Sequence, residues 1–432
     1  MKTAHKRGGR INPKKNIAII GSGISGLTAA YYLQNRYSIQ MYEQGSYIGG
    51  HTNTIDVQIG GKNLAVDTGF IVHNDRTYPN FINLMQTLGV DTQPTEMSFS
   101  VKDELSGLEY NGGSLNKLFA QRSNLLNPGF YKMIGEILRF NKQARAFLNS
   151  DDHTTTLGAY LRENKYHQGF IDKFLIPMGA SIWSTAPEDM LGFPARAFIN
   201  FFQNHGLLDL KNRPQWRTIK GGSREYVKKL IQGFEDRIHL NTGVKRIERQ
   251  SEKIKLHFED GSSEEFHEVI IATHSDQALA MLENPNKKEV KLLGAIPYQE
   301  NTAILHTDAS LLPKRKLAWA SWNYHLSAHD TPSVALTYNM NILQSLDTRE
   351  VINVTLNKQD QIDPAKIHKV IRYHHPLFTA EGLAAQKEKH TINGVDRIWY
   401  CGAYWGNGFH EDGVVSALDV IQGMDTSIRG TQ

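Results

Sequence analysis

The sequence predicts an α/β fold in which a domain with a parallel sheet is interleaved with a second domain. Two observations lead to this prediction. Residues 16–21 form a short apolar run typical of a buried strand, 24–35 have the pattern of a helix, and 38–43 form another strand. This strand–helix–strand order predicts a parallel sheet. Strand patterns return at 235–280 and 397–401, so the chain leaves this domain and later comes back to it.

The stretch between these strands has a different pattern. Residues 130–149 carry apolar side chains at helical spacing, and other helical segments surround them, which predicts a mostly helical insertion. A strand-rich stretch follows at 297–340, and the chain closes with a strand, a glycine-rich loop and a helix from about Gly413 to Met424. A chain of 432 residues is long enough for two or three domains.

The composition excludes several classes of protein. The chain is 40% hydrophobic and 21% charged, and it has no apolar run of 18 residues, which argues against a transmembrane helix. Residues 1–13 form a basic tail, and the remainder is near neutral, so nucleic-acid binding is not expected. A disordered tail and a tail attracted to anionic lipid are both open interpretations. Because Cys401 is the single cysteine, no intramolecular disulfide and no cysteine-based zinc site can form.

A glycine-rich loop joins the first strand to the first helix. Gly23 of this G-x-G-x-x-G motif lets the backbone approach a pyrophosphate, and the helix N-terminus presents a partial positive charge to it. Glu43 ends the second strand, where a carboxylate can accept hydrogen bonds from both ribose hydroxyls of an adenosine. The motif therefore predicts a dinucleotide on a Rossmann-like domain. Its residues are Gly21, Ser22, Gly23, Ile24, Ser25 and Gly26.

The next segment contains Gly49, Gly50 and His51, and here the sequence resembles the amine-oxidase-like flavoproteins, which include monoamine oxidases and phytoene desaturases. The second cofactor motif of that family is a Gly-Gly pair followed by a basic residue near the FAD phosphates. Arginine is usual at the position of His51. An imidazole can still donate a hydrogen bond to phosphate, but its charge depends on pH. The resemblance implies FAD as the cofactor, and Cys401, inside the last strand, is a poor site for covalent attachment, so we expect noncovalent FAD.

Two further segments match the family. Asp67, Thr68 and Gly69 correspond to a loop that lines the flavin, although without the resemblance this run would be an ordinary turn. Val244 follows the strand predicted at 238–241, where the family contacts adenine through the main chain. A core valine is the alternative at that position.

The C-terminal motif spans residues 401–414 and joins a strand to a helix. In the family, this helix N-terminus points at the pyrimidine side of the flavin, where backbone amides stabilise the negative charge of the reduced ring. The resemblance assigns those amides to Gly413 and Val414 and counts Asp412, just before them, with the cofactor residues. It places Gly402 and Ala403 beside the ribityl chain and phosphate.

Within the family, the sequence is most similar to predicted FAD-binding proteins of bacteria. The similarity rests on the runs at 66–72, 318–324 and 408–413. Genes for such proteins often neighbour those for cyclopropane-fatty-acid synthases. This association suggests a lipid substrate by analogy.

Few catalytic side chains are expected, because the flavin carries the redox chemistry. His410 is the candidate base, placed by the resemblance near the flavin face, and a histidine that only satisfies loop backbone is the alternative. Tyr404, Trp405 and Trp322 are candidate substrate contacts, with core packing as the alternative. Amine oxidases usually carry a lysine near the flavin N5, and none occurs in the matching strand at 301–306. No metal site is expected.

We therefore expect two domains. The FAD-binding domain comprises 14–79, 217–288 and 390–432, and the α+β substrate domain comprises 80–216 and 289–389. The predicted function is FAD-dependent hydride removal from an apolar substrate, a small molecule or lipid such as a fatty-acyl chain. A redox-neutral isomerase, an amine oxidase and a non-catalytic flavin-binding partner of a lipid-modifying complex are alternatives. We expect a cytoplasmic protein, with peripheral membrane contact left open.

Overall fold

The computed structural model describes residues 14–327 and 334–430, and the basic tail predicted at 1–13 lies outside the described residues. The described strands are β1 Asn16–Ile20, β2 Ser38–Tyr42, β3 Thr54–Ile59, β4 Lys62–Asp67, β5 Val72–Asn74, β6 Thr92–Pro94, β7 Phe99–Asp103, β8 Leu108–Asn111, β9 Trp216–Ile219, β10 Ile238–His239, β11 Val244–Arg249, β12 Ile254–Phe258, β13 Ser263–Phe266, β14 Glu268–Ile271, β15 Tyr298–His306, β16 Trp322–Leu326, β17 Leu336–Asn339, β18 Asn353–Leu356, β19 Ile367–Pro376 and β20 Ile398–Tyr400.

The described α-helices are α1 Ile24–Leu33, α2 Pro79–Thr87, α3 Leu115–Leu118, α4 Pro128–Leu148, α5 Leu157–Glu163, α6 Gln168–Phe170, α7 Ile176–Trp183, α8 Pro187–Met190, α9 Ala195–Asn204, α10 Arg224–Leu230, α11 Ser275–Met281, α12 Lys287–Leu293, α13 Met340–Leu343, α14 Ala380–Glu388 and α15 His410–Gly430. A π-helical turn at Ile171–Leu175 joins α6 to α7. Over the described ranges, no helix is both long and apolar enough to cross a membrane.

A parallel sheet with the strand order β10-β2-β1-β14-β20 forms the first domain. Its central strand, β1, is buried on both faces, as expected for a parallel sheet. Ile17 and Ile19 pack into a core with α1, α10 and α15. Ala18 and Ile20 face the opposite core, which includes the antiparallel strands β11 to β13. The βαβ unit predicted from the sequence is thus the centre of this domain.

A seven-stranded sheet with the order β19-β15-β18-β17-β16-β7-β8 forms the second domain. Its pairings are antiparallel except for β7 with β16, which is parallel. β7 and β8 precede the helical insertion in the chain and form one edge of the sheet. The helices of the insertion pack with this sheet around one core, which includes Tyr110, Phe140, Phe198 and Leu336. The insertion is mostly helical, as the periodicity predicts.

One predicted helix boundary was wrong. The last helix begins at His410 rather than at Gly413. The reason is a cap: the Asp412 carboxylate accepts a hydrogen bond from the Phe409 amide at 2.9 Å, and the Gly413 amide already donates to the Phe409 carbonyl at 3.1 Å. Capping by an acid in the first turn stabilises a helix start that apolar periodicity alone does not reveal.

A buried carboxylate connects the β11–β13 strands to the parallel sheet. Glu289 has no exposed surface, and it accepts hydrogen bonds from Arg249 and from the Tyr400 hydroxyl, the latter at 2.7 Å. Its second oxygen accepts the Asn286 amide at 2.8 Å and so caps α12.

We expect Glu289→Ala to lower the free energy of unfolding by about 3–5 kcal/mol, because it removes the buried partner of Arg249, whose other carboxylate, the exposed Asp396, is 3.7 Å away, and leaves the Tyr400 hydroxyl without its acceptor. Chemical denaturation measures the change. The matched control is Glu265→Ala, which removes an exposed partner of Lys253 and should cost less than about 1 kcal/mol. Equal losses in the two variants would contradict the role assigned to Glu289.

Candidate active site

A cavity of about 880 Å³ runs from the glycine-rich loop after β1 into the space between the seven-stranded sheet and the helical insertion. Both domains contribute to its walls. The predicted site residues that line it are Gly21, Ser22, Gly23, Ile24, Ser25, Glu43, Gly49, Gly50, His51, Gly69, Val244, Trp322, Gly402, Ala403, Tyr404 and His410. The predicted residues outside its lining are Gly26, Asp67, Thr68, Trp405, Asp412, Gly413 and Val414.

The glycine-rich loop forms an open cradle at the N-terminus of α1. A Cβ on Gly26 would lie 2.0 Å from the Gly21 carbonyl oxygen, so this glycine allows the helix to pack against the loop. A Cβ on Gly23 would meet no atom within 4 Å and would project into open space. Gly50, with φ of +57°, lies opposite, and its Cβ would be 3.3 Å from the Gly23 Cα. The two loops therefore touch at these glycines, and the open space in front of Gly23 suits a pyrophosphate held by backbone amides.

Glu43 lies at the edge of this cradle. Its carboxylate accepts hydrogen bonds from the Ser22 amide at 2.9 Å, the Ser22 hydroxyl at 2.6 Å and the Gly45 amide at 2.8 Å. These bonds fix the carboxylate at the cavity wall, next to Val244. The geometry fits the predicted contact of Glu43 with an adenosine ribose.

Two further histidines, His274 and His375, lie close to His51, which occupies the position where the family usually has arginine. The His51 ring stacks on Tyr373, with centroids 4.8 Å apart, and lies 5.2 Å from His375 and 6.3 Å from His274. Its Nε2 atom is buried without a hydrogen-bond partner. Burial and the neighbouring imidazoles hold the pKa of His51 well below its usual value, and burial lowers the pKa of His375 to about 4.

Sequence reasoning missed His274 and His375 as site residues. His274 immediately precedes α11, and His375 is the second-last residue of β19. Nothing in the sequence around either residue connects it to His51. Within the described ranges, no group of three or more His, Cys, Asp or Glu side chains could hold a metal ion. His51, His274 and His375 all line the cavity, where their imidazoles can donate N–H hydrogen bonds to a ligand.

Asp67 and Thr68 support the cavity wall from behind. The buried Asp67 carboxylate accepts hydrogen bonds from Thr54, Ser223 and Gln344. Burial raises its pKa to about 6. Gly69, the next residue but one, is pressed against the His51 carbonyl, since a Cβ there would lie 2.3 Å from that oxygen. The predicted flavin-lining loop thus reaches the cavity through Gly69, while Asp67 holds the loop in place.

The predicted amide donors, Gly413 and Val414, lie inside α15, which begins at His410. The Gly413 amide is bonded within the helix, and a Cβ on Gly413 would lie 2.7 Å from Ile24 and 2.9 Å from the Ser25 hydroxyl. Gly413 thus allows α15 to pack against α1, and Val414 is buried in the core beside it. Helix amides without an intrahelical partner are those of the first turn, here residues 410–412.

His410 is held by the protein rather than presented as a base. Its Nε2 lies 3.0 Å from the Thr52 hydroxyl and 3.1 Å from the Tyr226 hydroxyl, and its ring stacks on Phe70 at 3.6 Å. Burial lowers its pKa to about 3, so it is neutral at physiological pH. With Nε2 engaged in this way, His410 positions the start of α15 and is not assigned the role of catalytic base.

The aromatic residues of the C-terminal loop divide between the cavity and the core. Trp405 is buried in the core that includes β11 to β13 and is not part of the cavity lining. Tyr404 lines the cavity but belongs to the same core, away from the insertion. Phe409, which sequence reasoning missed, lines the cavity and stacks on Phe201 at 5.2 Å. Trp322 lines it beside Tyr338.

The parallel sheet, the open cradle at Gly23 and the carboxylate at Glu43 define a dinucleotide-binding domain, and the family match given below makes the protein an FAD-dependent oxidoreductase. The residues fit FAD, because Gly23 leaves room for the pyrophosphate and His51, in the lining of the same cavity, offers an unpartnered buried nitrogen. The chain belongs to the family described as "Flavin containing amine oxidoreductase", whose sequence model matches residues 24–340.

Comparisons with known proteins agree with this assignment. An L-amino-acid oxidase of Trimeresurus stejnegeri is 20% identical over 483 aligned positions, covering 95% of this chain and 87% of that protein. The structure of cyclohexylamine oxidase from Brevibacterium oxydans superposes with a TM-score of 0.67 at 14% identity, covering 96% of this chain and 100% of that one. A fatty acid isomerase of P. acnes that produces CLA superposes with a TM-score of 0.62 at 14% identity, covering 95% and 99%. At these identities the structural matches show the fold.

We expect Gly23→Ala to weaken FAD binding about tenfold or more, because the added methyl group projects into the space of the pyrophosphate. The apoprotein should keep its melting temperature, since no protein atom lies within 4 Å of the new Cβ. Titration of apoprotein with FAD measures the affinity. Gly135→Ala, also without a neighbour within 4 Å but located on α4, is the control and should leave the affinity unchanged.

We expect FAD to bind about threefold or more tightly at pH 5.5 than at pH 8. In the free protein the pKa values of His51, His274 and His375 are lowered, and a pyrophosphate anion beside them raises those pKa values. A ligand that raises a pKa binds better as the pH falls toward that pKa. His51→Gln should reduce this pH dependence, whereas His153→Gln, in the loop between α4 and α5, should not. If the FAD affinity of the unsubstituted protein does not change between pH 5.5 and pH 8, protonation of these histidines does not contribute to FAD binding.

Proposed function

We propose that this FAD-dependent oxidoreductase removes hydride from a long apolar substrate such as a fatty-acyl chain. The observation that carries the proposal is the wall of the cavity beyond the FAD-binding end. Apolar side chains dominate this part, and it extends between the seven-stranded sheet and the helical insertion. They are Met97, Phe99, Tyr110, Leu118, Ile134, Ile137, Leu138, Phe174, Met178, Ile182, Trp183, Phe201, Leu207, Leu210, Trp216, Trp322, Tyr338, Phe378 and Phe409.

The charges of this wall argue against a cationic amine as the substrate. None of the described residues lining the cavity is a lysine, and Glu43, at the FAD end, is the one carboxylate among them. A protonated amine in the apolar part would therefore lack a counter-charge, which is costly at a buried site. An uncharged acyl chain gains about 0.8 kcal/mol for each methylene group that it buries there.

FAD, when bound, would supply the hydride acceptor, and the protein would exclude water, orient the chain and accept a proton. Phe409 and Phe201 form an aromatic wall that excludes water and orients the chain. His205 brings an imidazole to the same region, where its ring stacks on Phe201 at 3.8 Å. Its Nδ1 donates to the Phe201 carbonyl at 3.0 Å, which leaves Nε2 as the proton acceptor. Burial lowers the pKa of His205 to about 4, so the acceptor is unprotonated at neutral pH.

Anaerobic mixing with candidate substrates tests the proposal. We expect oleate or an oleoyl ester to bleach the oxidised flavin band, and the product to be lighter by two hydrogens. An isomerase would yield a product of unchanged mass. Bleaching by cyclohexylamine or by an L-amino acid, but by no lipid, would overturn the proposal in favour of an amine oxidase.

A variant that narrows the apolar part provides a second test. Ile134 lines the cavity from α4, and Ile134→Trp should slow flavin reduction by an 18-carbon substrate about tenfold, because an overpacked site excludes part of the chain. An eight-carbon substrate should be affected less. Leu126→Trp is the control, since Leu126 is 89% exposed and lies outside the cavity wall. Equal rates for both chain lengths in Ile134→Trp would place the substrate elsewhere.

A further inference from the structure

The apolar part of the cavity has a doorway on the surface of the helical insertion. A second hollow, of about 450 Å³, lies outside it between α4 and the segment at 208–211. Leu138, Asn141 and Leu210 line both the cavity and this hollow, so the two spaces meet at these residues. Leu138 is 49% exposed and Leu210 is 69% exposed. The apolar surface of the cavity thus continues to solvent at this point.

Positive charge surrounds the doorway. Lys142, Arg145 and Lys211 line the outer hollow, and Arg213 lines the cavity. Asp209 is the one carboxylate among the residues lining the hollow, and its charge is already paired with Arg145 at 2.5 Å. Among the described residues, no carboxylate forms an ion pair with Lys142, Lys211 or Arg213. Three cations close to the exposed side chains of Leu138 and Leu210 match an amphiphile with a negative headgroup.

Asn141 adds a polar contact at the same place. It is 8% exposed, and its side chain forms no hydrogen bond within the described part of the chain. Because Asn141 lines both the outer hollow and the cavity, its amide lies between the cationic residues and the apolar part of the cavity. The amide is therefore available to donate a hydrogen bond to a ligand there.

We propose that Lys142, Lys211 and Arg213 bind the anionic headgroup of the substrate, that Asn141 donates a hydrogen bond to it, and that the apolar chain extends inward from this doorway. The inference rests on the proposed function, because it assigns the orientation of the same chain. A free fatty carboxylate and the acyl chain of an anionic phospholipid share this chemistry. In both cases the headgroup stays at the doorway, and the carbon oxidised lies at a fixed distance along the chain from it.

The test measures binding to the FAD-loaded protein, independently of turnover. Calorimetry compares oleate with oleyl alcohol, which has the same chain without the charge. Sedimentation compares phosphatidylglycerol vesicles with phosphatidylcholine vesicles. We expect oleate, phosphatidylglycerol or both to bind at least about fivefold more tightly than the neutral counterpart, and the preference to fall at high salt. The arm that shows the preference identifies the source of the headgroup.

Substitutions at the doorway complete the test. Lys211→Gln and Arg213→Gln should each weaken binding of the preferred anion about threefold and leave oleyl alcohol unaffected. Lys288→Gln, on α12 of the FAD-binding domain, is the control and should change neither. If oleate and oleyl alcohol bind equally and the doorway variants have no effect, the headgroup site is excluded while the apolar substrate stands. If no lipid binds, the proposed function fails as well.

Discussion

The arrangement of this protein depends on a single buried carboxylate at the junction of its two domains. Asp67 ends β4 and accepts hydrogen bonds from Thr54, on the neighbouring strand, and from Ser223, after the Gly221-Gly222 turn. The Asp67 carboxylate also accepts a hydrogen bond from the side-chain amide of Gln344, which belongs to the substrate domain. In return, the side-chain oxygen Oε1 of Gln344 accepts a hydrogen bond from the Asp67 backbone amide at 2.9 Å. Three segments that are distant in sequence are therefore fixed relative to one another at the wall of the cavity.

The cofactor end of the site could be predicted from the sequence because its determinants are local. Gly21, Gly23 and Gly26 lie in one loop, and the backbone geometry that they permit follows from their spacing. His410 and Trp405 could not be placed in this way. Their orientation is decided by Thr52, Tyr226 and the core beneath the last loop, and no pattern near residue 405 contains that information.

The substrate end was the least predictable part for a physical reason. Its walls are apolar residues, and an apolar residue at helical spacing has the same pattern whether it packs in a core or lines a cavity. Ile134 and Phe140 belong to one helix, yet the first lines the cavity and the second is buried in the core. The sequence predicts the helix, its insertion and its apolar stripe, whereas the empty space beside the stripe is a property of the assembled domain.

The interleaving of the two domains has a consequence for biosynthesis. The central strand β1 pairs with β2 locally, but its other neighbour is β14, with Ile17 opposite Glu268. At a synthesis rate of about 5–20 residues per second, this edge of β1 waits roughly 12–50 s for its partner to leave the ribosome. Through that interval an apolar strand has an open edge, which is a template for aggregation. Newly made chains therefore expose this edge until the segment that contains β14, Glu268–Ile271, has left the ribosome.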